Sequence, residues 1–180
     1  GNIGEGQGLH RIIPKVATLL GPEWRIRIIG DGGKYQLLEE SIKGLENVVI
    51  NSPIARGELL KYYRNAEVLF LHLNDPPAFL KVLPSKIFDY AATGKPIIAG
   101  VAGYAEKFLK DNVKNSAVFS PCDPEGFSKA LNTLNFKITP RIEFLKQFDR
   151  TRIMKEMAGD ILSLVSADHE TDKEMRDKLV

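Results

Sequence analysis

Apolar positions along this chain follow two alternating rhythms. Leu9, Ile12, Ile13, Val16 and Leu20 recur at helical spacing and predict a helix with one buried face. Pro14 lies inside that pattern. It has no backbone donor, so the helix is expected to kink or divide there. Residues 24–29 read as a strand closed by Gly30-Asp31-Gly32-Gly33. Residues 34–43 read as a helix ending near Gly44, residues 47–50 as a short strand, and residues 58–65 as a helix. Residues 67–73 form a strongly apolar strand. A Pro-containing loop over 74–83 follows, then a helix over 85–93 that stops at Gly94. Residues 96–99 and 116–120 complete the strands, with a helix over 102–111 between them. Pro124 suits the first turn of a helix through 134, because the donor it lacks is not needed there. Two more helices are expected near 140–148 and 150–165.

Strand and helix in alternation, with near-continuously apolar strands, predict an α/β fold whose parallel sheet is covered on both faces. Ligands of such sheets bind beyond the carboxyl ends of the strands. The loops to watch therefore begin at Gly1, Gly30, Asn51, Asn74 and Gly100.

Composition narrows the picture. The chain has 180 residues, 43% hydrophobic and 27% charged, which suits one globular domain over 1–165. Residues 166–180 are mostly charged and read as a solvated helix or a disordered tail. A net charge of +2 gives no support to nucleic-acid binding. The single cysteine, Cys122, excludes an internal disulfide and fits a reducing cytoplasm. It reads as a loop thiol rather than a nucleophile. No segment approaches the roughly 20 apolar residues of a membrane span. The first residues carry no signal-peptide pattern. A loop motif at residue one implies that a preceding segment belongs to the whole protein.

Four segments carry candidate chemistry. Gly1-Asn2-Ile3-Gly4-Glu5-Gly6-Gln7-Gly8 lets backbone approach a ligand closely and leads into a helix whose first N–H groups suit a phosphate. It also reads as a flexible terminus. Gly30-Asp31-Gly32 follows a strand and serves equally as a turn or a ligand contact. Residues 51–58 form a turn in which Ile54 could offer apolar surface and backbone hydrogen bonds to a flat base. The fourth segment is the most informative: Pro84-Ser85-Lys86-Ile87-Phe88-Asp89-Tyr90-Ala91-Ala92-Thr93-Gly94-Lys95-Pro96. Pro84 breaks the chain, Ser85 can cap the helix, and Lys86 places a cation at its start. Asp89, one turn on, could accept hydrogen bonds from ribose hydroxyls. Each residue singly also has a structural explanation.

The run from Pro84 to Pro96 resembles the donor-site signature of the family-four (group 1) retaining glycosyltransferases, in the branch that builds bacterial surface polysaccharides and O-antigen. Gly1-Asn2-Ile3-Gly4, Ile29-Gly30-Asp31-Gly32 and Asn47-Val48-Val49-Ile50 fall in that family's order, and the resemblance spans residues 1–165. It implies the Rossmann-like, doubly wound C-terminal half of a GT-B fold. The implied activity is sugar transfer from a nucleoside-diphosphate donor, UDP rather than GDP, to a lipid-linked glycan acceptor held by an N-terminal domain. The configuration would be retained, with no obligatory metal and no cofactor apart from the donor substrate. The implied location is the cytoplasm, extending to the inner face of the membrane. Gly1, Asn2, Gly4, Gly30, Asp31, Gly32, Ile54, Pro84, Ser85, Lys86 and Asp89 would line the nucleotide-sugar site. The catalytic residues would lie in the N-terminal domain. Phe144, Phe148, Ile153 and Ile161 would normally find part of their cover there.

Three positions depart from the family pattern. Lys81 stands where the first acid of the family's acidic pair is expected, and Gln7 where a basic residue often stands. Asp89 is one methylene shorter than the usual Glu. Lys86 is then left to carry the phosphate charge. Two other readings stay open: a nucleotide-sugar epimerase of the same fold, and a dinucleotide-binding module without catalysis.

Overall fold

In the computed structural model, the backbone is described for residues 1–177 and the side chains for residues 1–164. The backbone of the charged tail expected over 166–180 is helical through Asp177, and its side chains lie outside the described residues. The chain divides into two compact units, Gly1–Arg141 and Ile142–Val180.

The first unit alternates strand and helix as expected: α1 (Leu9–Leu20), β1 (Ile26–Ile29), α2 (Tyr35–Ser41), β2 (Val48–Asn51), α3 (Arg56–Asn65), β3 (Leu69–His72), α4 (Lys86–Ala92), β4 (Ile97–Gly100), α5 (Tyr104–Asn112), β5 (Ser116–Phe119) and α6 (Pro124–Leu131). All strand pairs are parallel. They form two ladders, β1–β2 and β3–β4–β5, rather than one continuous sheet. Residues 1–3 run beside the end of β1, through the bridge Asn2–Asp31. Gly30 N–H serves β2 by donating to Asn51 O, whereas Asp31 N–H donates to Gly1 O. Successive residues of a strand address opposite neighbours, so residues 1–3 occupy the side of β1 away from β2.

α1 joins the two ladders. Ile12, Ile13, Val16 and Ala17 share one apolar cluster with Leu38, Val48, Ile98, Phe119 and Phe127. The helix is not divided at Pro14, as its sequence suggested; it runs unbroken for 12 residues. Proline removes one hydrogen bond, and the buried stripe on either side of it holds the helix together. Ile98 faces that cluster, while its alternating neighbours Ile97 and Ala99 are buried on the opposite face, the side taken by α4 and α5. This double cover explains the continuous apolar runs.

In the second unit, α7 (Ile142–Gln147) leads into α8 (Arg150–Asp177). Asp149 Oδ1 accepts the Arg152 N–H at 2.8 Å. Phe144 is buried, Phe148 and Ile153 are half-buried, and Ile161 is exposed. Phe144 is thus covered within the described residues, and Ile161 is not. Among the described residues, no helix is long and apolar enough to cross a membrane.

Candidate functional site

The carboxyl ends of the strands gather the candidate segments on one edge of the first unit. The Gly1 segment folds into a 3-10 turn over Glu5–Gln7, with Gly8 in the left-handed region at φ 55°. Gln7 closes this turn on itself: its Oε1 accepts Gly4 N–H at 3.1 Å and Asn2 Nδ2 at 3.2 Å. Its side chain is committed to the turn, and Gly4 N–H is already used. Glu5 and Gly6 N–H have no acceptor among the described residues and remain the turn's available donors. The Glu5 carboxylate would oppose a bound anion, but Lys34 Nζ lies 2.9 Å from it and holds its pKa below the usual value.

Gly30 and Gly32 earn their place by packing. A side-chain carbon at Gly30 would fall 1.9 Å from Gly1 O, and one at Gly32 would fall 2.5 Å from Asn2 Oδ1. Asp31 accepts Ile3 N–H through its carbonyl at 2.8 Å and its own neighbour, Gly32 N–H, through its carboxylate at 2.7 Å. This second segment therefore seats the first one.

α4 begins beside the same edge. Ser85 does not cap it with its hydroxyl, as the sequence suggested. Ser85 has already entered the helical region, and Pro84 O and Ser85 O accept the Ile87 and Phe88 N–H groups in a tight first turn. With those donors used and only seven residues in the helix, the local positive charge comes mainly from Lys86. Lys86 lies within electrostatic range of Gly1. Its Nζ meets Tyr63 Oη at 3.3 Å. The neighbouring cations are each matched by an acid: Arg11 by Asp75, Arg56 by Asp89 at 3.4 Å, and Lys34 by Glu5. Lys86 has no acidic partner among the described residues.

Asp89 points into the space between α3 and α4, where Arg56 holds it loosely. Ile54, two residues before Arg56, is half-buried on the loop entering α3. The loop that carries Ile54 thus leads into the Arg56–Asp89 pair. Beneath them, Tyr63 and Tyr90 meet edge to face at 5.3 Å, and burial pushes the Tyr90 hydroxyl pKa up.

The Pro-rich loop after β3 is not irregular throughout. Pro77–Lys81 forms a 3-10 turn, and Leu80 packs on Gly103. Phe79 lies against Gly6 and also lines a small cavity of about 100 Å³ with Leu73, Asn74, Asp75 and Leu80. Lys81 is exposed at the end of this turn. A larger open groove of about 530 Å³ runs along β5 between α5 and α6, and contains none of the candidate residues.

Residues 1–135 match the family described as glycosyl transferases group 1. The chain belongs to this family. A curated relative of the group 1 domain, an uncharacterized glycosyltransferase from Haemophilus influenzae, is 23% identical over 139 residues, covering 77% of this chain and 37% of the relative. The crystal structure of Anabaena Alr3699/HepE in complex with UDP and glucose is similar, with a TM-score of 0.72 and 19% identity over 91% of this chain and 46% of that one. The same Anabaena protein with UDP-glucose gives 0.73 at 18% identity, over 91% and 47%. The catalytic domain of cholesterol-alpha-glucosyltransferase from Helicobacter pylori gives 0.56 at 13% identity, over 91% and 94%. At these identities the likeness speaks for the fold, which is that of GT-B glycosyltransferases. The group 1 domain spans less than half the length of the Haemophilus relative and of the Anabaena protein.

Sequence reasoning missed His72 and Asn74, the buried polar residues at the end of β3. Both reach into the Glu5–Gln7 turn. It also missed Arg11–Asp75 and Arg56, whose partners lie far away along the chain. The one available signal was polar residues interrupting an apolar strand at its carboxyl end. Cys122 does have a histidine beside it, but His72 Nε2 accepts the Cys122 backbone N–H at 2.9 Å, and burial raises the thiol's pKa. That arrangement supplies no activated thiolate.

Proposed function

We propose that the group 1 domain binds the nucleoside-diphosphate part of a sugar donor, UDP-linked, for transfer of the sugar to a lipid-linked glycan acceptor. The observation that carries this reading is the placement of Lys86, unmatched by any acid among the described residues, within electrostatic range of the Gly1 segment. The Anabaena protein of like fold was solved with UDP and with UDP-glucose, which favours UDP as the donor nucleotide. The diphosphate would lie between the Glu5 and Gly6 N–H groups and Lys86. Asp89 would accept the ribose hydroxyls, exchanging Arg56 for them. Ile54 would face the base.

In transfer, the bond from the sugar's anomeric carbon to the diphosphate oxygen breaks and the acceptor hydroxyl takes its place. Negative charge grows on the leaving diphosphate. Fixed N–H dipoles and the Lys86 ammonium would stabilise that charge as it develops. The acceptor and any proton-transfer group belong to a further domain of the whole protein. We place the reaction in bacterial polysaccharide assembly, such as O-antigen synthesis, at the cytoplasmic face of the membrane. The anomeric configuration is retained and no resident cofactor takes part.

Calorimetric titration with UDP, GDP and NAD tests the reading. Binding of UDP in preference to the other two, without turnover of UDP-sugar by the chain alone, is the expected result. Binding of NAD with no response to either nucleoside diphosphate would overturn it.

A further inference from the structure

All three carbonyls of the Glu5–Gln7 turn are held from inside the protein by the end of β3. His72 Nδ1 lies 2.6 Å from Gln7 O, Asn74 N–H donates to Gly6 O at 2.8 Å, and Asn74 Nδ2 donates to Glu5 O at 2.9 Å. The two side chains are only 3% and 2% exposed.

The histidine's protonation follows from its partners. Cys122 N–H can only donate, so Nε2 must accept; Nδ1 then carries the proton and donates to Gln7 O. Burial favours this neutral form. Asn74 is equally committed: its Oδ1 accepts Arg11 Nη1 at 2.6 Å and its own neighbour, Asp75 N–H, at 3.0 Å. Room for both side chains depends on missing side chains elsewhere. A Cβ at Gly100 would fall 2.3 Å from His72 Cδ2, and one at Gly8 would fall 3.0 Å from Asn74 Cγ.

We infer that His72 and Asn74 are positioning residues that clamp the Glu5–Gln7 turn by its carbonyls, so that the Gly6 N–H group is presented to the diphosphate of the donor. Carbonyl and N–H of one peptide unit point in opposite directions. Drawing the Glu5 carbonyl inward therefore turns the Gly6 N–H of the same peptide unit outward, while the Gln7 and Gly8 N–H groups close the turn on Gly4 O and Glu5 O. The clamp also ties the turn to the loop after β5 through Cys122. This inference rests on the donor-site reading above.

Two substitutions at His72 separate the clamp from simple packing. His72→Asn keeps a donor near the Nδ1 position and loses the Cys122 bond. His72→Gln keeps an acceptor near the Nε2 position and loses the Gln7 bond. In the 180-residue chain, amide exchange of Gly8 and Asn74 is read by NMR and UDP affinity by calorimetry. His72→Gln is expected to speed exchange and weaken UDP binding about tenfold, as for loss of one buried hydrogen bond. His72→Asn is expected to stay within about threefold of the unaltered chain on the same scale. Asn74→Asp, which removes the Nδ2 donor, should behave like His72→Gln. Equal effects of the two His72 variants, or a loosened turn with undiminished UDP affinity, would overturn the inference. If the unaltered chain fails to bind UDP, the donor-site reading falls and takes the ligand role with it. The exchange pattern then still decides for or against the clamp itself.

Discussion

The Glu5–Gln7 turn and the start of α4 face the same edge, but the protein holds them by different means. The turn is gripped through every carbonyl by two residues at the end of β3, both almost wholly buried. α4 is fixed at its far end, where the buried Arg141 guanidinium donates to Ala91 O at 3.1 Å. The same group also donates to Lys95 O, Lys114 O and Asn115 O. At its near end, Lys86 and Asp89 have only Tyr63 Oη and a 3.4 Å contact with exposed Arg56. One side of the site is therefore pre-organised, and the other is free to adjust. Fixed dipoles are most useful where charge must be met without reorganisation. Mobile charges suit the groups that must trade a protein partner for a ligand.

Four changes would break or sharpen this contrast. The largest effect is expected at Arg141. Arg141→Met removes the guanidinium donor that four carbonyls share and should cost about 3 kcal/mol of stability in denaturant unfolding. Burial already lowers the Arg141 pKa to about 10, showing how far the guanidinium is removed from water. Asn74→Leu should follow, at about 2 kcal/mol, because the turn carbonyl, Arg11 and Asp75 N–H all lose a partner. Asp89→Ala should leave the melting temperature nearly unchanged, since an exposed ion pair contributes little. It should nevertheless weaken UDP binding about tenfold, as loss of a ribose hydrogen bond to a charged acceptor would. Equal losses of stability at Asp89 and Asn74 would erase the contrast.

The smallest effect concerns pH. His72 is held neutral in the fold, with its pKa below the ordinary 6.5. Below pH 6.5 the unfolded chain takes up a proton that the folded chain refuses. Stability should therefore be full above 6.5 and fall as pH drops from there toward the folded pKa. Arg11, Asp75 and the Cys122 thiol are the ionisable groups around the ring; Arg11 reinforces the shift and Asp75 opposes it. Loss of this step in His72→Asn, measured by thermal unfolding across pH 5–8, would assign it to His72.

Much of the fold was legible because it rests on local patterns. Doubly covered strands show as apolar runs, and Gly94 marks the end of α4 with its positive φ of 72°. The placement of Lys86 and Asp89 on one turn of α4 was legible because the two lie three residues apart. The clamp was not: Gln7 is 65 residues from His72, and Cys122 is 50 residues beyond it. Nothing local distinguishes a histidine at a strand end from a tolerated interruption. Ser85 misled because a capping residue type is common before helices, and here the chain had already turned helical at that position. Pro14 misled because local propensity cannot register the apolar cover that keeps α1 whole.

The most direct test of the central claim, one diphosphate shared between the turn and α4, is an amide-resolved NMR titration of the chain with UDP. The Glu5, Gly6 and Lys86 amides should shift together, with one common affinity that weakens in Lys86→Ala. Shifts confined to the groove along β5, around Val118 and Lys129, or no shifts at the turn under saturating UDP, would contradict it.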